Sequence, residues 1–227
     1  MNVLIINGSA KGKNSETFKI AQTFVAGLGE KAKVIETYNS KIKPCKSCFK
    51  CQKNKKNKCT IKDDTQKIIK KIKNADLVIW SSPLFCYSVP STLKALLDRL
   101  TSLSSKTIIV DDDGETTHPI IDTFGAKHVL ISGSPLPDRE NSFDAIKFQF
   151  THMFGKDIEM ILCTEKTIFH IASAQAIAQH YLKIIERAGR DYKHFGHILK
   201  ETHQLLSQPM LPEDMYINSV NQTPIDE

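Results

Sequence analysis

No stretch of this 227-residue chain is apolar for long enough to cross a bilayer, and no charged-then-apolar leader precedes the first structured segment. The expectation is a cytoplasmic protein with no membrane partner. The Walker phosphate pattern is missing: Gly8 and Gly12 have three residues between them, and Lys13 is followed by Asn14 rather than Ser or Thr. The dinucleotide fingerprint of spaced glycines is missing too. No serine, histidine and aspartate fall in a hydrolase order, and there is no nucleophile elbow. The histidines are scattered. His194 and His197 stand three apart late in the chain, without an acidic or cysteine neighbour to complete a metal site. Internal repeats and low-complexity linkers are absent. These gaps set aside triphosphate hydrolysis, serine hydrolysis and histidine-based metal chemistry.

What is present is an ordinary globular composition, 41% hydrophobic and 25% charged, long enough for one domain with a sizeable core. The formal charge of +6 is uneven, because thirteen lysines fall between Lys41 and Lys73. No aromatic stacking platform or recognition helix accompanies them, so a solvated basic face is expected and no nucleic-acid partner. Six cysteines in such a chain read as reduced, ligating or redox-active thiols rather than disulfides.

The most informative segment is Met1 to Thr17. Val3 to Ile6 is an apolar run that reads as a buried strand, and Asn7 to Asn14 is a small, polar loop. Ser15 can cap a helix, and Phe18, Ala21, Val25 and Leu28 then recur at helical spacing. A polar loop on a helix N-terminus leaves backbone N–H groups unpaired in a positive field, which suits a phosphate, and Lys11 and Lys13 add charge. Lacking both nucleotide fingerprints, the loop suits a single terminal phosphate.

Strand and helix alternate beyond this point. Strands are expected at Asn2–Asn7, Lys33–Thr37, Leu77–Ser81, His128–Ser132 and Glu159–Cys163. Helices are expected at Ser15–Leu28, Asp64–Asn74, Ser91–Leu103, Ser142–Phe154 and Ser173–Phe195, with Asp63 capping the second. Near-continuous apolar strands between amphipathic helices imply a parallel sheet covered on both faces. The fold class is therefore α/β, a three-layer doubly wound sandwich. Its five-stranded sheet takes the flavodoxin-like order 2-1-3-4-5, with ligands outside the carboxyl ends of strands 1 and 3. Residues 1–207 are read as the domain, interrupted by a cysteine-rich loop (44–62) and a small hairpin (107–119) turning at Asp113-Gly114. Residues 208–227, carrying Pro209, Pro212 and Pro224, are read as an aperiodic C-terminal arm.

The loop after strand 3, Ser82 to Pro90, offers aromatic and apolar surface plus backbone amides and little charge. A flat flavin ring needs such a wall. The loop after strand 4, from Ser132 to Leu136, is small and polar and can close the other side. Taken together, GSAKGKNSET, SPLFCYSVPSTLKALLDR and the cysteine set resemble the flavodoxin-like NAD(P)H-dependent FMN reductases. The similarity is greatest to the cysteine-bearing branch near the iron–sulfur flavoproteins.

That resemblance implies bound FMN, NAD(P)H as electron donor, a small-molecule or flavin/quinone acceptor, and a homodimer or homotetramer. It implies that Ser9, Lys11, Asn14, Ser15, Glu16 and Thr17 hold the phosphate, Glu16 through its backbone N–H. Pro83, Leu84, Phe85, Cys86 and Ser88 would line the ring, with Cys86 standing where an aromatic residue is expected. Ser132, Gly133 and Ser134 would complete the pocket. No side chain need act as acid or base, since flavin N5 carries the chemistry.

Cys45, Cys48, Cys51 and Cys59 follow a C-x2-C-x2-C-x7-C spacing. Three cysteines at that interval can wrap one corner of a [4Fe–4S] cubane while a fourth arrives from further along. Zinc and free thiols are the alternatives. With a cluster, the protein would be an iron–sulfur flavoprotein electron carrier. A flavin-less module binding another nucleotide on the phosphate loop is a third reading.

Overall fold

The computed structural model describes residues 1–53, 58–111, 114–119, 121–123 and 125–222. Asp113 of the expected hairpin turn and Pro224 of the expected arm lie outside the described residues, as do residues 54–57 of the cysteine-rich loop.

Five strands form one parallel sheet: β1 (Val3–Asn7), β2 (Ala32–Glu36), β3 (Leu77–Pro83), β4 (Lys127–Gly133) and β5 (Glu159–Cys163). Their order in the sheet is β2-β1-β3-β4-β5, the flavodoxin-like order expected. Eight helices are described: α1 (Glu16–Gly27), α2 (Lys50–Lys53), α3 (Thr65–Lys73), α4 (Ser91–Arg99), α5 (Asp144–Phe154), α6 (Gln175–Phe195), α7 (Lys200–Ser207) and α8 (Glu213–Gln222).

Alternation along each strand sorts the core into two layers. Val3, Ile5, Leu77, Ile79, Val129 and Ile131 face α1 and α6, joined there by Phe18, Phe24, Ile185 and Tyr192. Leu4, Ile6, Val78, Trp80 and Leu130 face the other way, against Ile68, Ile72, Leu93, Leu97, Ile146 and Phe150 of α3, α4 and α5. Both faces of β1 and β3 are thus buried, which explains why these strands read as unbroken apolar runs.

The register sets the strand ends level. Asn7 pairs with Glu36 on one side and Ser81 on the other, and Pro83 pairs with Gly133. The loops that follow β1, β3 and β4 therefore open on one edge of the sheet.

Two excursions behave differently from the sheet. The hairpin is present as two short strands, Ile109–Val110 and Thr116–Thr117, with Gly114 at φ +80° in the turn. The expected arm (208–227) is not aperiodic: α8 forms within it, after α7 ends at Ser207. Tyr216 of α8 is buried and donates to the Pro135 carbonyl, while the Met210 and Leu211 N–H groups donate to the Glu165 carboxylate at 2.6 and 3.4 Å. Pro209 and Pro212 flank the gap between the two helices and mask their periodicity in the sequence. Among the described residues no helix is long and apolar enough to cross a membrane.

Candidate functional site

The loop after β1 is shaped by Asn7. Its amide donates to the Gly12 carbonyl at 2.9 Å and its carbonyl oxygen accepts the Ser9 N–H at 3.1 Å. The Ser9 hydroxyl in turn accepts the Lys11 N–H at 3.2 Å. Gly12 takes φ +56°, a left-handed conformation that glycine adopts without strain. Gly8 lies so close to α4 that an added Cβ would stand 2.9 Å from Leu93 Cδ2.

Ser15 caps α1, its hydroxyl accepting the Phe18 N–H at 3.5 Å, as its position in the sequence predicts. The first-turn amides of Glu16 and Thr17 have no helical carbonyl to pair with. The Thr17 hydroxyl is completely buried and has no hydrogen-bond partner. A buried hydroxyl left unpaired is costly, and here it sits on the helix turn where an anion is expected. Asn14 lies exposed, its N–H turned back to the Lys11 carbonyl.

Glu16 departs from its expected role. Its carboxylate is buried, accepts from its own backbone N–H, is bonded by His170 Nε2, and lies 3.7 Å from Lys11 Nζ. Burial opposes its ionisation, but that N–H, His170 and Lys11 together hold its pKa below the ordinary carboxylate value. His170 and Lys166, both from the 3-10 segment Lys166–His170 after β5, are residues that the sequence reading missed. They join α1 across more than a hundred residues of chain, and no local motif marks them.

The wall after β3 is built mostly from main chain. The Leu84 N–H donates to the Gly133 carbonyl at 2.8 Å, tying this loop to the end of β4. Phe85 and Ser88 exchange both backbone hydrogen bonds, at 2.8 and 3.0 Å. Between them Cys86 and Tyr87 take φ +47° and φ +61°. That is the geometry of a type I′ turn, normally filled by Asn-Gly, so two side-chain-bearing residues are held under strain. The turn projects Phe85, Cys86 and Tyr87 into solvent, with Phe85 64% and Tyr87 59% exposed, while Leu84 stays buried against the sheet. Pro83 and Ser88 are half-buried beside them.

On the opposite side, Ser132 and Ser134 are fully buried. The Ser132 hydroxyl has no partner, and neither does that of Ser81 at the end of β3. Ser134 is used locally, its hydroxyl accepting the Leu136 N–H at 3.0 Å. Gly133 is closely packed, since a Cβ there would stand 3.0 Å from Thr17 Oγ1 and 3.3 Å from Lys166 Cδ. The structure therefore gathers the three expected loops on one edge. The unpaired hydroxyls of Thr17, Ser81 and Ser132 lie there, and an apolar turn stands alongside.

The cysteine-rich loop stands apart. Cys45, Cys51 and Cys59 line one cavity of about 310 Å³ together with Phe49, Asp98 and Arg99. Burial raises the Cys51 pKa, and neighbouring Cys59 and Cys45 raise it further. Cys48 is exposed and does not line that cavity. Among the described residues no three His, Cys, Asp or Glu side chains are grouped to hold a metal ion. Cys48 thus stands outside the cavity that the other three thiols share.

The base of the loop is closed by Arg99. Its guanidinium donates to the Lys43 carbonyl at 2.8 Å and to both Asp63 oxygens at 2.7 and 3.2 Å. Asp63 is therefore an ion-pair partner as well as the cap expected, its carboxylate accepting the first-turn Thr65 N–H at 3.0 Å. Asp64, which directly precedes α3, makes no side-chain cap bond.

Residues 1–113 match the family model described as NADPH-dependent FMN reductase. An iron–sulfur flavoprotein of Archaeoglobus fulgidus is 33% identical over 100 residues, which cover 44% of this chain and 48% of that protein. The chain spans about half the length of the curated relatives it matches. Among solved structures, an azoreductase from Bacillus anthracis is 15% identical with a TM-score of 0.62, over 84% of this chain and 100% of that one. An NAD(P)H:quinone oxidoreductase from Methanothermobacter marburgensis is 17% identical with a TM-score of 0.60, over 84% of this chain and 98% of that one. These two likenesses establish the shared fold.

Proposed function

We propose that this protein is an FMN-dependent NAD(P)H oxidoreductase with a small-molecule acceptor of the flavin or quinone class, a reading supported by the match of residues 1–113 to the NADPH-dependent FMN reductase model. The observation that carries the reading is the convergence at one sheet edge of a phosphate-ready helix turn and an apolar wall. The orphaned, buried Thr17 hydroxyl on the N-terminal turn of α1 fits a phosphate monoester.

Within this reading, Ser9, Lys11 and Ser15 to Thr17 bind and orient the phosphate. Leu84, Phe85 and the Leu84–Gly133 backbone link form the rigid side of the ring pocket, and the exposed Tyr87 leaves the outer ring face open to a nicotinamide. Bound FMN would supply hydride acceptance at N5 and onward donation to the acceptor. The chain's contribution is positioning and exclusion of water, with no general acid or base. A homodimer or homotetramer in the cytoplasm completes the proposal.

The test is direct. Purified protein mixed with FMN is expected to quench flavin fluorescence and to oxidise NADH or NADPH in the presence of a quinone. Absence of both would overturn the reading.

A second reading is an iron–sulfur flavoprotein electron carrier, supported by the meeting of Cys45, Cys51 and Cys59 in one cavity. Stoichiometric iron and sulfide in anaerobically purified protein, lost in Cys59→Ala, would favour it over the reductase. Iron-free yellow protein would favour the reductase.

A further inference from the structure

The inference that follows rests on the flavin reading and concerns the phosphate end of that site. The first turn of α1 meets a second wall of donors that comes from the segment after β5. The Lys166 N–H donates to the Ser134 carbonyl at 3.0 Å, which fixes this residue beside the end of β4. The stem of Lys166 and the Thr17 hydroxyl then border the same space, as the close approaches at Gly133 record. Burial lowers the Lys166 pKa, and the Glu16 carboxylate opposes that shift by favouring the charged ammonium. One turn later, His170 Nε2 reaches Glu16 Oε1, and Lys11 approaches the same oxygen from the loop after β1.

A carboxylate therefore stands on a helix N-terminus, bonded by His170, 3.7 Å from Lys11 and within the electrostatic reach of Lys166. That is the environment an anion needs, and a side chain of the protein fills it. The filling is incomplete, because the Thr17 hydroxyl beside it is fully buried and still has no partner. A phosphate group presents more acceptor oxygens than a carboxylate and can use that hydroxyl as well. Like charges cannot share the seat without a large repulsion.

We propose that Lys166 and His170 form the second wall of the phosphate seat, and that the Glu16 carboxylate is an internal anion that an incoming phosphate monoester displaces. Glu16 then tunes how tightly the mononucleotide is held, and a flavin without a phosphate does not sense it.

The experiment is a fluorescence-quenching titration of FMN and of riboflavin against wild type, Glu16→Gln, Lys166→Met and His170→Gln. Glu16→Gln is expected to bind FMN about tenfold more tightly, since a close like charge is removed. Lys166→Met and His170→Gln are expected to bind it about tenfold more weakly, the size of one charge-assisted hydrogen bond. Riboflavin, which lacks the phosphate, is expected to bind all four proteins equally and so reports an intact pocket. His170 is half exposed, so His170→Gln keeps the test readable if Lys166→Met does not fold. FMN affinity unchanged or weakened in Glu16→Gln, or riboflavin and FMN losing affinity together in the other variants, would overturn the inference alone. Failure of wild type to bind either flavin would overturn the flavin reading and this inference with it.

Discussion

Gly27 of α1 and Gly189 of α6 bring the two helices together backbone against backbone. A Cβ on Gly27 would stand 2.0 Å from the Glu186 carbonyl oxygen, and one on Gly189 would stand 2.1 Å from that of Phe24. Both acceptors are main-chain atoms and cannot rotate away. Gly189→Ala is expected to lower unfolding stability by about 1–3 kcal/mol, as overpacking of a tight contact does. Urea denaturation checks this through a lower midpoint at unchanged slope. Because α1 carries Ser15 to Thr17 at its other end, weaker FMN binding is expected to accompany the loss.

Asp63 and Arg99 form an ion pair whose side chains are 1% and 0% exposed. Burial alone would raise the Asp63 pKa. Hydrogen bonds from the Arg99 guanidinium and from the Lys43 and Thr65 N–H groups reverse this and bring it to about 2. Removing one partner leaves an uncompensated buried charge, so Arg99→Met is expected to cost about 3–5 kcal/mol. The sign of the acid dependence follows from the lowered value. The pair contributes fully above the unfolded aspartate value of about 3.9 and is lost as pH falls towards the native value. Urea midpoints measured across that window in wild type and Asp63→Asn should converge at the acid end.

The turn at Cys86-Tyr87 stores strain, because each residue holds a left-handed conformation that costs about 1–2 kcal/mol for a side-chain-bearing residue. The double substitution Cys86→Asn, Tyr87→Gly supplies the residues this turn geometry favours. It is expected to raise the thermal midpoint while weakening FMN retention, since Cys86 of the proposed ring wall is replaced. Thermal melts and flavin titration on the same sample separate the two effects.

His128 is held neutral in the core. Trp80 Nε1 donates to its Nδ1 at 3.1 Å, which assigns the proton to Nε2, 2.9 Å from the Thr123 hydroxyl. Burial lowers its pKa to about 4. Between that value and the unfolded histidine value of about 6.5, the unfolded chain binds the extra proton, so stability falls as pH falls through this window. His128→Gln is expected to flatten the slope there and leave the more acidic Asp63 window unchanged. Urea midpoints at pH steps across both windows check this.

Much of the fold was legible because the sheet is local in its signals. VLII and LVIW announce buried parallel strands, and Glu159–Cys163 forms over the residues expected. The loops on the sheet edge were legible as well, through Ser15 as a cap and the glycines around it. Other features were hidden for reasons of distance or composition. Lys166 and His170 reach Glu16 from the far end of the chain, and Arg99 meets Asp63 across 36 positions, so no spacing rule connects them. The turn at Cys86-Tyr87 lacks the glycine or asparagine that would mark it. The helix of the tail is short, and Pro209 and Pro212 separate it from α7.

The guanidinium of Arg99 grips Lys43 and Asp63 at once, so both ends of the lysine-rich excursion are riveted to a single point on α4. Between rivets, lengthening a loop adds only a slow, logarithmic entropic penalty. The excursion is therefore an interchangeable cartridge. Its thiol spacing can be edited residue by residue while the sheet and the ligand-facing edge keep their shape.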